Sequence, residues 1–307
     1  MFVLFRFKNI ADSAEFCGFI DIIEVAVRCD QIFCVFVAML CLIPLLHVIA
    51  TSFSGKTAII SSKVIVWPVD FTLNNYRYIM KDMNFYSSFL VSVERVCLAL
   101  VVDMMTVLLA AYPLSLPRAK FSARQFYVWY FMITMMFGGG MVPTYLIVSR
   151  TGLLNNILSL VLPNAANVFF IILMMNFMKA LPEALSEAAE LDGAGYFTIL
   201  FRIILPLCKP SIATIVLFTA VNHWNEWFAG MLYINDNMKW PLQTYLQSVV
   251  VKTDVSQLTD VDTLAALVDM QGTNTAKIVL AMIPILCFYP FLQKYFVTGI
   301  VLGSVKE

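Results

Sequence analysis

Three long stretches carry no charged side chain at all: residues 31–55, 125–149 and 151–178. Each is long enough to cross the ~30 Å hydrocarbon layer of a bilayer, which takes ~20 helical residues. Composition agrees. Hydrophobic residues make up 61% of the chain and charged ones 13%, whereas a soluble domain carries about a quarter charged residues. The chain reads as an all-α integral membrane protein. Its first span runs from Gln31 to about Phe53, and the second from about Ser88 to Leu114, with Glu94, Arg95 and Asp103 inside it. The third lies in 125–149, and the fourth runs from about Ile157 to Phe177. The fifth, about Pro210 to Ile234, is broken by Glu226, and the sixth runs from about Ala276 to Phe296.

An even number of spans puts both termini on one side. Cytoplasmic loops are the more basic ones, and short loops report this best. The loop after the second span holds Arg118, Lys120 and Arg124, whereas the loop after the third holds Arg150. Both termini are therefore expected inside. Two long segments, 54–86 and 236–275, then lie outside, the latter expected as a small structure over a pore. Residues 1–30 alternate apolar and charged residues. They suit either an amphipathic helix along the inner surface or a frayed end. Asp12, Glu15, Asp21 and Glu24 interrupt this segment and argue against a cleaved signal peptide.

Several functions are disfavoured. The 20 basic and 20 acidic residues balance, so no basic surplus points to nucleic acid. The 7 cysteines are odd in number and form no CxxC pair, which suits apolar filler better than a disulfide framework or metal cluster. His223 and His47 are the only histidines, so a metal ligand set is not expected.

Between the fourth and fifth spans lies a polar, helix-forming island, Leu181 to Pro206. Pro182 suits a first helical position, and Glu183 favours the positive end of the helix dipole. Ala184 to Leu191 are strong helix formers. Asp192-Gly193 is a stop, since glycine takes the left-handed conformation cheaply. A second, more apolar stretch, Tyr196 to Leu205, runs into Pro206. The pattern is helix, glycine turn, helix.

Glu187-Ala188-Ala189, then Asp192-Gly193-Ala194, then Ile204-Leu205-Pro206 resembles the EAA loop of ABC importer permeases, with all three parts in register. The likeness spreads from about Phe33 to Val305. Trp67-Pro68 with Leu73-Asn74-Asn75-Tyr76, Ala110-Ala111-Tyr112-Pro113-Leu114-Ser115, and Gly138-Gly139-Gly140-Met141-Val142-Pro143-Thr144-Tyr145 look like segments of maltose-type sugar permeases. So do His223-Trp224-Asn225-Glu226-Trp227-Phe228, Trp240-Pro241-Leu242-Gln243, and Tyr289 to Phe296 with Gly303-Ser304-Val305-Lys306. The combination is most similar to permeases for complex oligosaccharides.

This resemblance implies a type I importer permease fold with six transmembrane helices, in the bacterial cytoplasmic membrane. Residues 1–30 form the N-terminal segment, 31–56 the first transmembrane helix, 57–297 the transmembrane domain with its loop at 181–206, and 298–307 a cytoplasmic tail. The implied partners are a second permease, favoured as a different chain, two ATP-hydrolysing subunits and an extracytoplasmic binding protein. No GxxxxGK[ST] phosphate loop is present. ATP and Mg would sit on the partner ATPase subunits, with no cofactor and no catalytic residue here. Glu187, Ala188, Ala189, Asp192, Gly193 and Ala194 would dock into a cleft of the ATPase. The tail, Gly299 to Glu307, would reach between the two ATPase subunits.

Two groups are candidates for a substrate path. Charge deep in a membrane is costly, ~2.5–3.5 kcal/mol or more, and normally faces a cavity or a partner. Glu94 and Arg95 lie in about the outer third, within reach of water, and Asp103 lies deeper, ~12 Å from Arg95 along the axis. They read equally as a translocation path, a contact with the second permease, or a polar pair without transport consequence. Asn222, Trp224, Asn225, Glu226 and Trp227 form the second group. Trp224 and Trp227, at i, i+3 spacing, fall on one helix face where sugar rings stack. The competing reading is an interfacial aromatic belt with interhelical hydrogen bonds. A self-sufficient secondary transporter is the alternative function. It calls for internal repeats and broken midplane helices, and only Asp103 and Glu226 hint at it.

Overall fold

The computed structural model describes residues 14–251, 270–288 and 290. Every regular element among them is helical. Helix α1 is Ala14–Ser52, α2 Lys56–Ile60, α3 Asn74–Ile79 and α4 Met83–Ser115. Then come α5 (Arg124–Met136), α6 (Met141–Arg150), α7 (Val168–Lys179) and α8 (Glu183–Leu191). Helix α9 is Tyr196–Leu207, followed by α10 (Lys209–Asn225), α11 (Phe228–Tyr233), α12 (Leu242–Val251) and α13 (Met270–Phe288). The residues group into two units, 1–75 with 268–276, and 76–267 with 277–307.

In the first unit, α1 continues from Ala14 into the first span without a break, so no separate surface helix is set off within 14–30. Residues 30–46 expose every side chain. A helix that is apolar all round belongs in lipid. Beyond it the chain folds back on a small core of Ala50, Ala58, Ile59 and Val64. Asn75 donates its amide to the Ser52 carbonyl at 2.9 Å. A Cβ on Gly55 would lie 2.9 Å from that of Asp70, so the return needs glycine there.

The second unit is organised by α4. Asp82 caps it, accepting from the Asn84 and Phe85 N–H groups. The helix ends at Ser115 because Leu116 precedes Pro117 and is extended (ψ 151°). Its buried residues form one stripe at helical spacing: Ser88, Ser92, Arg95, Ala99, Asp103, Val107, Ala111 and Leu114. The stripe changes character along its length, largely polar in the N-terminal part and apolar from Val107 onward. The apolar half packs with Ile171, Met174 and Met178 of α7, Ile199 and Leu200 of α9, and Ile215 of α10.

Among the described residues three helices are long and apolar enough to span, Asp30–Ser52, α4 and α13, and the total reaches 6 if each of three bent pairs is one span. Each uncharged run that reads as a straight third or fourth helix is therefore broken. Helices α5 and α6 meet at 112° across the glycine run, where Gly140 takes φ +84°. The fourth span bends by 53° between 157–164 and α7, and Asn167 caps α7 by accepting from the Phe170 N–H. Helix α10 begins at Lys209, where the fifth span is expected, and α9 meets it at 84°, because Pro206 and Pro210 remove two helical donors around Cys208. Ile199–Ile204 widen into a π turn, a common accompaniment of such kinks. Helix α10 stops at Asn225, and Glu226 is extended (ψ 119°). The sixth span is seen as α13; its expected end near Phe296, the outer stretch 252–269 and the tail 298–307 lie outside the described residues.

Candidate functional sites: the loop helix and a polar cavity

The island at 181–206 folds as its sequence predicts, with one shift. Pro182 is extended (ψ 126°) and stands just outside α8, so the first helical residue is Glu183. At the other end Gly193 takes φ +82°. The Ala194 N–H reaches back to the Ala189 carbonyl and the Gly193 N–H to that of Glu190, both at 2.9 Å. This paired arrangement closes a helix whose next residue is left-handed. Ala189 is buried in the core and Ala194 packs against it, whereas Glu187, Ala188, Asp192 and Gly193 are exposed. Leu191 is 90% exposed. One face of α8 is thus rooted in the core, and the other is exposed.

A basic residue of the loop after α4 pairs with this helix. Lys120 donates to both oxygens of Glu190, at 2.5 and 2.6 Å. Its ammonium is held above the usual lysine range, chiefly by the Glu190 hydrogen bond. Spacing along the chain gave no sign of a pairing across 70 residues.

The polar half of α4 builds the second site. Arg95 is 1% exposed, which corrects the expectation that it reaches water; Glu94 does stay exposed. Arg95 Nη2 donates to Glu226 Oε2 at 2.8 Å and Nη1 to the Glu226 carbonyl at 2.9 Å. Nη2 also lies 3.3 Å from the Leu160 carbonyl. Glu226 Oε1 accepts from the Ala229 N–H at 2.8 Å, near the start of α11. The helix break at Glu226 is what lets one carboxylate serve both contacts. Two turns deeper, Asp103 Oδ2 lies 3.1 Å from His223 Nε2, both buried. Arg95 and Asp103 therefore do not pair with each other. Each finds its partner at the end of α10, and the two pairs form two rungs between α4 and α10.

A cavity of 420 Å³ lies beside the rungs. Arg95, Asp103, His223 and Glu226 line it, with Thr219 and the amides Asn164, Asn167, Asn222 and Asn225. Arg95 Nε, Asp103 Oδ1, Thr219 Oγ1 and His223 Nδ1 are buried without a hydrogen-bond partner among the described residues. Such atoms each cost ~1–3 kcal/mol when left unmade.

Asp103, Asn222, Asn225 and Glu226 are thus brought to one place. The tryptophans are not. Because α10 ends at Asn225, Trp224 and Trp227 do not share a helix face, contrary to the spacing argument. Trp224 is buried, donates to the Ala281 carbonyl at 3.2 Å and meets Phe89 edge-on at 5.8 Å. Trp227 precedes α11, and its carbonyl accepts from Thr244 Oγ1 at 2.8 Å. Asn164, Asn167 and Thr219 carry no sequence signal beyond their polarity in an apolar run.

At the N-terminal end of α4, Asp82, Tyr245 and Lys277 form a clamp. Lys277 Nζ lies 2.7 Å from Asp82 Oδ2 and donates to Tyr245 Oη at 2.6 Å, and Tyr245 donates to Asp82 at 2.8 Å. Burial alone would raise the Asp82 carboxyl, but the hydrogen bonds from Lys277 and Tyr245 outweigh it and hold the group below the usual range. Burial, then Asp82, pushes the Tyr245 hydroxyl up.

Residues 28–301 match the family described as binding-protein-dependent transport system inner membrane component. The chain is 41% identical over 274 residues to the polygalacturonan/rhamnogalacturonan transport system permease protein YtcP of Bacillus subtilis (strain 168), covering 88% of this chain and 94% of that one. It is 39% identical over 279 residues to protein LplC of the same organism, covering 91% and 94%. Among solved structures it resembles a bacterial ABC transporter involved in the import of the acidic polysaccharide alginate, with a TM-score of 0.80, 31% identity, and coverage of 89% and 97%. These are transport subunits rather than enzymes. The all-helical fold with its broken spans, the loop helix and these relatives together place the chain in the family of binding-protein-dependent inner-membrane components, as an integral membrane permease of the ABC-type sugar importers.

Proposed function

We propose that this chain is a permease subunit of an ATP-driven importer of oligosaccharides rich in acidic sugars, and that α8 is its contact with an ATP-hydrolysing partner. The observation that carries this reading is the two-faced α8. Ala189 is rooted in the core, Glu190 is tied to Lys120, and Glu187 and Ala188 are exposed. A helix held so firmly on one side transmits a push from the other as a rigid body. Both termini lie in the cytoplasm in this reading, as does α8. ATP and Mg reside on two partner subunits, and a second permease, of a different sequence, completes the pore. An extracytoplasmic binding protein delivers the sugar. The acidic substrate class rests on the names of the relatives, a polygalacturonan permease and an alginate importer.

The test is sugar-stimulated ATP hydrolysis in the assembled complex. Glu187 is exposed, so Glu187→Arg should leave the chain inserted and folded while reducing stimulation at least tenfold. Gly193→Pro should do the same, since proline cannot take φ +82°. Full stimulation in both variants would contradict the assignment.

A further inference from the structure

The two rungs leave a specific set of atoms unused. Arg95 is committed to Glu226, and His223 lies against Asp103. Four atoms of residues lining the cavity are left buried without a partner among the described residues: one donor, Arg95 Nε, one acceptor, Asp103 Oδ1, and two atoms of adaptable role, Thr219 Oγ1 and His223 Nδ1. All four residues are more than nine-tenths buried. Thr219 is informative in its own right. Thr106 and Thr214 bond back to carbonyls four residues earlier, at 2.8 and 3.0 Å, the usual refuge of a helical threonine in an apolar setting. Thr219 makes no such bond.

We propose that this cavity is a sugar-hydroxyl subsite belonging to this chain, one that takes the neutral hydroxyl face of a pyranose ring and turns its carboxylate away. The inference rests on the importer reading above and adds where, and by which groups, the sugar is held. Hydroxyls both donate and accept, so a ring bearing several can satisfy Arg95 Nε and Asp103 Oδ1 together. An ionised carboxylate only accepts. It would meet the unpaired oxygen of Asp103 and the side chain of Glu226, while both Nη atoms of Arg95 are already engaged. The four asparagine side chains extend the same two-way hydrogen bonding around the wall. The 420 Å³ volume lies in the range of small-molecule sites. An acidic polymer would thus pass this point by its hydroxyl edge, while its charge is read elsewhere.

Two measurements on the complete importer test this. The first is uptake of trigalacturonate into proteoliposomes holding both permeases, the ATPase and the binding protein. Thr219→Val keeps the shape and removes the unpartnered hydroxyl, and should lower kcat/KM about five- to tenfold. Thr219→Ser, which restores a hydroxyl, should recover most of it. Wild-type uptake by Thr219→Val, or failure of serine to rescue, overturns the proposal. The second is a structure of the complex with trigalacturonate in transit. Ring hydroxyls within hydrogen-bond distance of Thr219 and Asp103 support the subsite. A carboxylate there, water alone, or a side chain of the second permease overturns it. A wild-type complex whose ATP hydrolysis ignores the sugar would instead sink the importer reading, and is distinguishable because it precedes any variant.

Discussion

Arg95 shows both what one sequence reveals and where it stops. Its position among apolar residues marks it as costly in a membrane and hence in need of a partner. The chain does not say which partner, because Glu226 lies 131 residues away on another element. Distance along α4 rules out Asp103, and nothing in the local spacing points across to α10. Trp224 and Trp227 part company for a related reason: the helix does not continue through them but ends one residue before Glu226. The pair itself is testable. Removing one member of a buried ion pair strands the other, at ~3–5 kcal/mol, and the lower end applies here because the Glu226 side chain is 29% exposed. Arg95→Met alone should therefore destabilise the detergent-solubilised protein by about 3 kcal/mol. Adding Glu226→Gln, which keeps an oxygen for the Ala229 N–H, should restore part of that loss. Thermal unfolding of the single and double variants checks this, and a double variant that loses the sum of two independent effects would show no pairing.

At the scale of elements, the most legible piece is α8, because its signals are local. Helix formers, a glycine stop and a buried alanine all lie within 14 residues of one another, from Glu183 to Tyr196. The bends are less legible. The glycine run at 138–140 announces a flexible point, but the 112° angle depends on one left-handed residue and on what packs beside it. Pro206 and Pro210 likewise signal a break without its direction. The Asp82–Tyr245–Lys277 clamp joins the start of α4 to α12 and α13 and is invisible to spacing altogether. Asp82 is held below its ordinary range, so its contribution is present above the unfolded carboxylate range and is lost as pH falls through the folded value. Asp82→Asn should lower the melting temperature near neutral pH by roughly 2–4 °C. The wild type should lose that advantage on acidification, and the asparagine variant should not. A wild type and variant with parallel pH profiles would remove the clamp from the stability of this end.

For the whole molecule, composition and the charge-free runs establish a multi-span helical membrane protein before any motif is considered. What they leave open is that three pairs of neighbouring helices meet at sharp bends rather than running on as single rods. Bends of this kind come from tertiary packing and proline placement, which hydropathy averages away. The middle of α4, the start of α7 and the end of α10 surround one polar cavity, while α8 presents Glu187 and Ala188 to solvent. In the proposed function, the exposed face of α8 takes a push from a partner and the polar cavity responds to it. That response depends on α8 touching the subunit that hydrolyses ATP. The direct measurement is site-specific crosslinking from Ala188→Cys, an exposed position whose small side chain tolerates the change, to the ATPase in the assembled importer. The account predicts a covalent adduct with the ATPase subunit that forms in the intact complex and shifts in yield when ATP is added. No adduct from Ala188→Cys in a complex that still hydrolyses ATP in response to sugar would contradict it.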